Sequence, residues 1–195
     1  MTDSISLTYD YLCPFARNAN EMVVEALAEG TDLDVLFVPF SLKEAHADAD
    51  DVAQWELPLD AVGTGVLALL WSIAIRDNHP DLFLDFHVSL FNARHDDGSD
   101  INNESVIEDV CETVGLDPIR IRECVATGVP AKTLATEHSR VVEDYGVFGV
   151  PTFIQGDEAV FVRFMDRHEM QDLERVLEML KWTNLNEFKR TRIDR

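Results

Sequence analysis

Residues 5–40 constrain this chain most, because they run strand, helix, strand with connections that leave few arrangements open. Ile5–Tyr9 (ISLTY) is a short run rich in β-formers and reads as a strand. Pro14 stands where a helix would start, and apolar residues then recur at 15, 19, 22, 23, 26 and 27, which is helical spacing over Phe15 to Glu29. Gly30 follows in the position of a C-terminal cap. Leu33–Phe40 (LDVLFVPF) is a second strand, apolar enough to be buried. A crossover of this length allows the two strands to pair in parallel, and such units are right-handed.

The period changes after residue 60. Val62–Asn78, Pro80–Arg94, Asn103–Val114, Pro118–Ala126 and Ala131–Tyr145 all read as helices, separated by Gly98, Gly115 and Gly128. Strand signals return at Thr152–Gln155 and Ala159–Phe164, joined by a Gly156-Asp157 turn as a hairpin. Asp166-Arg167-His168-Glu169 has the form of a capping box, which predicts an amphipathic closing helix from Met170 to Trp182. The tail beyond it is basic and is expected to fray or to pack on a partner. The predicted class is α/β with a mixed sheet, β-α-β … β-β-α. Residues 1–59 and 146–195 form one domain, and residues 60–145 form an all-helical insertion.

With 195 residues the chain can bury a full core. Its cysteines, Cys13, Cys111 and Cys124, cannot all pair within one chain, and no CxxC, HExxH or Cys/His cluster suggests a metal. The opening MTDSISLTYDYLCPF has no basic stretch before a long apolar one, so a secretory leader is not expected and a cytoplasmic location with free thiols is. No apolar run is long enough to span a bilayer. Sixteen basic residues against 37 acidic ones give a net charge of −21. Such a field repels phosphate backbones and anionic lipid, which excludes nucleic acid and membrane surfaces as expected partners. The acids are dispersed, which fits either a solvated surface or adaptation to a salty cytoplasm.

Two local signals bear on chemistry. Cys13-Pro14 lies at a strand-to-helix junction, where unpaired N–H groups and the helix dipole favour thiolate over thiol. Proline fits the first helical position because its missing N–H would be unpaired there anyway. Arg17, one turn on, either adds positive potential or faces water. An inert, buried capping cysteine is the alternative reading of Cys13. The second signal is Gly149-Val150-Pro151-Thr152-Phe153, a proline at the mouth of an apolar strand, either in a cis turn or in an ordinary trans loop.

Taken in order, Tyr-Asp-Tyr-Leu-Cys-Pro-Phe at 9–15, Val-Pro-Phe-Ser-Leu at 38–42, Phe-Asn-Ala-Arg-His at 91–95 and Tyr-Gly-Val-Phe-Gly-Val-Pro-Thr-Phe at 145–153 resemble the DsbA-like branch of the thioredoxin superfamily. That branch holds dithiol oxidoreductases, kappa-class glutathione transferases and hydroxychromene-carboxylate isomerases. The resemblance spans nearly the whole chain and implies a thioredoxin-like sheet. It also implies that Cys13 is the nucleophile and that Pro151 is a cis-proline facing it. Phe15, Val150 and Thr152 are then substrate contacts, with Val150 main-chain groups holding a thiol or peptide in extended form. The pair Asp166-Arg167 is similar to one that grips the γ-glutamyl end of glutathione, so Asp166 is a candidate for the ammonium group of a small, glutathione-like thiol, or else a plain helix cap.

The chain departs from the dithiol pattern at one position: Ala16 stands where those members have a second cysteine. A mixed disulfide on Cys13 then needs a thiol from elsewhere. The expected function is thiol–disulfide exchange by Cys13, activated by Pro14 and the helix N-terminus, with a small thiol or protein substrate, in a monomer or homodimer without metal. The alternatives are a thiol-cofactor transferase or isomerase and a non-catalytic peptide-binding member. Cys111 and Cys124 fall on apolar helix faces and read as core thiols, with a resolving role as the alternative. His95, His138, Trp55 and Arg94 are further pocket candidates.

Overall fold

The computed structural model describes residues 3–48 and 50–184; the basic tail anticipated after the closing helix lies largely outside them. Strand β1 (Asp3–Tyr9) leads into helix α1 (Pro14–Ala28) and strand β2 (Leu33–Pro39). A single turn, α2 (Leu42–Ala45), and a 3₁₀ turn at Gln54–Glu56 follow. Five helices come next: α3 (Val66–Asn78), α4 (Pro80–His95), α5 (Glu104–Thr113), α6 (Pro118–Ala126) and α7 (Val129–Tyr145). Strands β3 (Thr152–Gln155) and β4 (Glu158–Phe161) and helix α8 (Met170–Met179) complete the fold.

The four strands lie in the order β2-β1-β3-β4. β1 pairs with β2 in parallel, Ile5 opposite Val35 and Leu7 opposite Phe37. β3 runs antiparallel to both β1 and β4. This is the mixed α/β sheet that the sequence pattern predicts. Leu7, Tyr9 and Phe153 are fully buried at its centre. At about 25 cal/mol per Å² of apolar surface, rows of this kind supply the main driving force for folding.

Buried polar groups fasten the helices to the sheet. The Tyr9 and Ser72 hydroxyls share a 2.8 Å hydrogen bond between β1 and α3. Arg76 of α3 donates to both Glu137 oxygens on α7 and to the Phe37 carbonyl of β2, each at 2.8 Å. One cation therefore ties two helices to an edge strand, with its donors spread in the fixed fork that suits a carboxylate.

Several boundaries differ from the sequence expectation, each for a local reason. α3 starts at Val66 rather than Val62, because Gly65 ahead of it has φ +81°. A Cβ at Gly65 would lie 2.8 Å from Leu12 side-chain carbons, so glycine is required both for the conformation and for the approach of α3 to the Cys13 loop. β4 stops at Phe161, since its partner strand begins at Thr152 and Pro151 has no N–H to extend the ladder. The capping box does not form: Glu169 is the N-cap of α8, without a side-chain bond, so Asp166 lies outside the helix. The helix also ends at Met179, short of Trp182. α2 and the 3₁₀ turn were not anticipated; α2 is held by the Ser41 hydroxyl, which accepts from the Glu44 amide at 3.1 Å.

Candidate active site

Cys13 is the N-cap of α1, with extended backbone (φ −93°, ψ 115°) and Pro14 as the first helical residue. Its Sγ accepts from the Ala16 amide at 3.4 Å, and its S–H donates to the Val150 carbonyl at 3.4 Å. The Val150–Pro151 peptide bond is cis. Residues 137 positions apart therefore meet at one sulfur.

Each side of this meeting point is fixed from beneath. The Cys13 amide donates to the Asp10 carbonyl at 3.0 Å, closing the turn between β1 and α1. The Asp10 carboxylate, itself buried, accepts from the Leu12 amide at 2.9 Å and the Leu42 amide at 2.8 Å. Burial raises its pKa to about 6, against the pull of those two amides. On the other side, the Thr152 amide donates to the Thr8 hydroxyl of β1, and the Thr152 hydroxyl donates to the Gly149 carbonyl, both at 2.8 Å. Thr152 is buried, so it builds the loop instead of lining its mouth.

A second buried chain steadies the first turn of α1. The Tyr11 hydroxyl donates to His87 Nδ1 at 2.8 Å, His87 Nε2 donates to Asn20 Oδ1 at 3.0 Å, and Asn20 Nδ2 donates to the Ala16 carbonyl at 2.8 Å. Burial drives the His87 pKa down to about 3, so the ring stays neutral, which the one-donor, one-acceptor pattern requires.

Electrostatically the site departs from the expectation of an acidified thiol. Burial pushes the Cys13 pKa up; the Ala16 and Phe15 amides oppose it, Asp10 adds to it, and the Arg163 charge pulls down. The net direction is upward, because Cys13 is 9% exposed and loses more hydration than two amides return.

The remaining predicted positions fall as follows. Phe15 is half-buried in the first turn of α1, its ring under the Arg163 guanidinium at 5.6 Å. Asp166 is exposed on the segment between β4 and α8. Its neighbour Arg167 anchors that segment, donating to both Glu21 oxygens at 2.8 Å and to Asp96 at 3.1 Å. Arg17 pairs with the same Asp96. His95 Nε2 donates to the Tyr11 carbonyl at 2.9 Å. His138 stacks on Phe40 and accepts from the Ser41 amide at 3.2 Å, with Trp55 tilted on its other side, so this pair packs behind β2. Arg94 Nε is buried without a hydrogen-bond partner among the described residues. Cys111 is buried in α5 with its thiol pushed up to about 12 by burial. Cys124, on α6, accepts from Asn78 at 3.4 Å. None of the three thiols is in a disulfide.

Sequence reasoning missed Asp10, the Tyr11–His87–Asn20 chain, and an aromatic row of Phe148 and Phe161 beside Arg163. The one available signal for the last was an arginine inside the apolar run Ala-Val-Phe-Val-Arg-Phe at 159–164.

No curated protein matches the chain. Among solved structures, a 2-hydroxychromene-2-carboxylate isomerase superposes with TM-score 0.65 at 18% identity, covering 93% of this chain and 97% of that one. The thiol-disulfide exchange protein alpha-DsbA2 of Wolbachia pipientis gives 0.62 at 16%, covering 92% and 82%. BdbD of Bacillus subtilis gives 0.63 at 17%, covering 91% and 87%. These likenesses establish a shared fold. The sequence profile of the DSBA-like thioredoxin domain matches residues 4–178, and the chain belongs to that family.

Proposed function

We propose that this protein catalyses thiol–disulfide exchange through Cys13 alone, with the mixed disulfide resolved by a thiol from outside the chain. The observation that carries this reading is the placement of the Cys13 sulfur between the first-turn amide of Ala16 and the Val150 carbonyl, with alanine, not cysteine, at that position on the same turn. In the first step the Cys13 thiolate attacks one sulfur of a disulfide. A Cys13–S–S–R bond forms, the original S–S bond breaks, and the second sulfur leaves as a thiolate with the electron pair. The Cys13 proton, held toward the Val150 carbonyl in the resting state, passes to solvent. In the second step an external thiolate attacks the R sulfur and releases Cys13. A cytoplasm rich in small thiols would supply that thiol.

The partner would lie along the proline loop. The Val150 amide makes no hydrogen bond among the described residues, so one main-chain donor beside the sulfur is open to an extended ligand. We assign the ammonium group of a small thiol to Asp166, which is exposed and in no ion pair among the described residues.

The test is mass spectrometry after incubation with glutathione disulfide. One adduct is expected, on Cys13, removable by added thiol and absent in Cys13→Ser. An adduct on Cys111 or Cys124 in its place, or none at all, sinks the reading. The raised pKa of Cys13 favours a second possibility, in which a small thiol binds without bonding to Cys13 and serves as cofactor of a transferase or isomerase. In that case Cys13→Ser retains small-thiol binding.

A further inference from the structure

A row of side chains runs along one rim of the Cys13 site. The Arg163 guanidinium lies over the Phe15 ring at 5.6 Å and over the Phe161 ring at 5.5 Å. Phe161 in turn contacts Phe148 at 4.9 Å between ring centroids. Phe15 is two residues from Cys13, Phe148 is two residues from Val150, and a Cβ on Gly149 would touch Phe161 at 3.4 Å. The row therefore borders both halves of the site.

Two features of it are unusual for a chain of net charge −21. Arg163 makes no ion pair among the described residues, although carboxylates outnumber cations more than two to one. Phe148 is 70% exposed, the most exposed large hydrophobic side chain in the described structure. What singles this rim out is the grouping of an exposed aromatic ring with a cation whose contacts among the described residues are rings and not carboxylates. The stacking also sets how Arg163 can act. A guanidinium whose contacts are aromatic rings keeps N–H donors available, and its fork can meet a carboxylate with two parallel bonds.

We infer that Arg163, with Phe148 and Phe161, selects partners that carry a carboxylate and a flat apolar group close to the reacting sulfur, an anionic aryl thiol or disulfide being the class that fits. A small molecule satisfies this where an acidic protein does not. The field of the whole chain repels a polyanion, while a single carboxylate held a few ångströms from Arg163 feels mostly that one charge. The inference rests on the exchange reading for Cys13, and the experiment separates the two.

The rate of Cys13 modification is measured in a Cys111→Ala, Cys124→Ala background at one fixed ionic strength, with three disulfides. Dithiobis(nitrobenzoate) is aryl and anionic, dithiodipyridine is aryl and neutral, and hydroxyethyl disulfide is neither aryl nor charged. Ratios between probes are read, so that any change in the thiolate fraction of Cys13 largely cancels. Arg163→Gln is expected to lower the rate with dithiobis(nitrobenzoate) about fivefold relative to dithiodipyridine, the size of an exposed but well-oriented ion pair. Phe148→Ala is expected to slow both aryl disulfides relative to hydroxyethyl disulfide. Ratios unchanged in both variants overturn the inference and leave the exchange reading standing. If Cys13 reacts with none of the three, the exchange reading fails, and the rim is read instead from phenylpropionate binding by ligand-observed NMR. Binding that is lost in Arg163→Gln then supports the inference, and binding that is absent or unaltered overturns it.

Discussion

Replacing Ala16 by cysteine tests the site where the chain departs from a dithiol motif. Cys13 is the N-cap and Ala16 the third residue of α1, and the Ala16 amide already contacts the Cys13 sulfur at 3.4 Å. The Arg17 amide bonds to the Cys13 carbonyl at 3.0 Å, so the first turn is regular and carries positions 13 and 16 on one face. A cysteine at 16 thus falls within the roughly 4.4–6.8 Å Cα range that disulfides span. Ala16 is fully buried, so the added sulfur first costs about 1–3 kcal/mol of overpacking in the reduced protein. Closing the short loop then returns about 2 kcal/mol on the chain-entropy estimate, before any native strain. For a chain of this size that is a difference of about 4–8 °C in melting temperature between the oxidised and reduced variant.

The assay has two arms. Alkylation and mass spectrometry count free thiols, and thermal melts are run with and without reductant. We expect Ala16→Cys to form a reversible 13–16 disulfide, to melt higher when oxidised, and to gain dithiol-driven insulin reductase activity that wild type lacks. A folded variant that retains both thiols under oxidant refutes the placement of the two residues on one turn. A wild type already active as a reductase would move Cys111 or Cys124 into the mechanism.

Other consequences follow from buried charge. Asp10 has its pKa raised from 3.8 to about 6, so the unfolded chain loses this proton first and the group costs stability as pH rises from about 4 to 6. In urea titrations the stability gap between Asp10→Asn and wild type should therefore shift toward the variant over that window, by about 3 kcal/mol at most; a pH-independent gap refutes the assignment. Arg167→Ala removes both donors of the fork on the 5%-exposed Glu21 carboxylate and should destabilise by about 2 kcal/mol in the same assay, with Glu21→Gln relieving most of the loss. Melting temperature should climb steeply from low to molar KCl as salt screens the −21 charge; a flat curve would show that self-repulsion is negligible.

The fold was legible because its signals are local. The strand β1, the proline-started α1, the Gly30 stop and the buried β2 each announce themselves within a few residues, and Pro118–Ala126 and Thr152–Gln155 match their predicted limits. The junctions at Cys13-Pro14 and Val150-Pro151 were readable for the same reason, since proline restricts the backbone where it stands. What stayed hidden depends on residues distant in sequence. His87 is a lone histidine in an apolar helix until Tyr11 and Asn20 close on it from α1 and the turn before it. Arg167 followed an apparent capping acid, and only the fold shows that its partners are Glu21 and Asp96, across on α1 and just past the end of α4. The capping box failed on similar grounds. With Arg167 tied to α1, the segment is pulled away from helical geometry, and His168 takes a positive φ of 61° before α8 can start.

The upward shift of Cys13 bears on which direction of exchange the site favours. A strong disulfide oxidant stabilises its reduced thiolate, which makes the nucleophilic cysteine a good leaving group and its mixed disulfides short-lived. Here dehydration of the sulfur and the nearby Asp10 carboxylate work against the thiolate, while the two α1 amides and Arg163 support it. A thiol of higher pKa is a better nucleophile per thiolate but a poorer leaving group. In the proposed exchange, attack on an incoming disulfide would then give a mixed disulfide that keeps its group on Cys13 until an external thiol attacks the partner sulfur. Burial assists the same division, because the Val150 carbonyl and the Ala16 amide cover the Cys13 sulfur while the partner sulfur would lie toward the open rim. A second cysteine at position 16 would attack the covered sulfur from below. With alanine there, the proposed mechanism leaves release to whatever thiol can reach the rim, where Phe148 is an exposed ring and Arg163 is in no ion pair among the described residues.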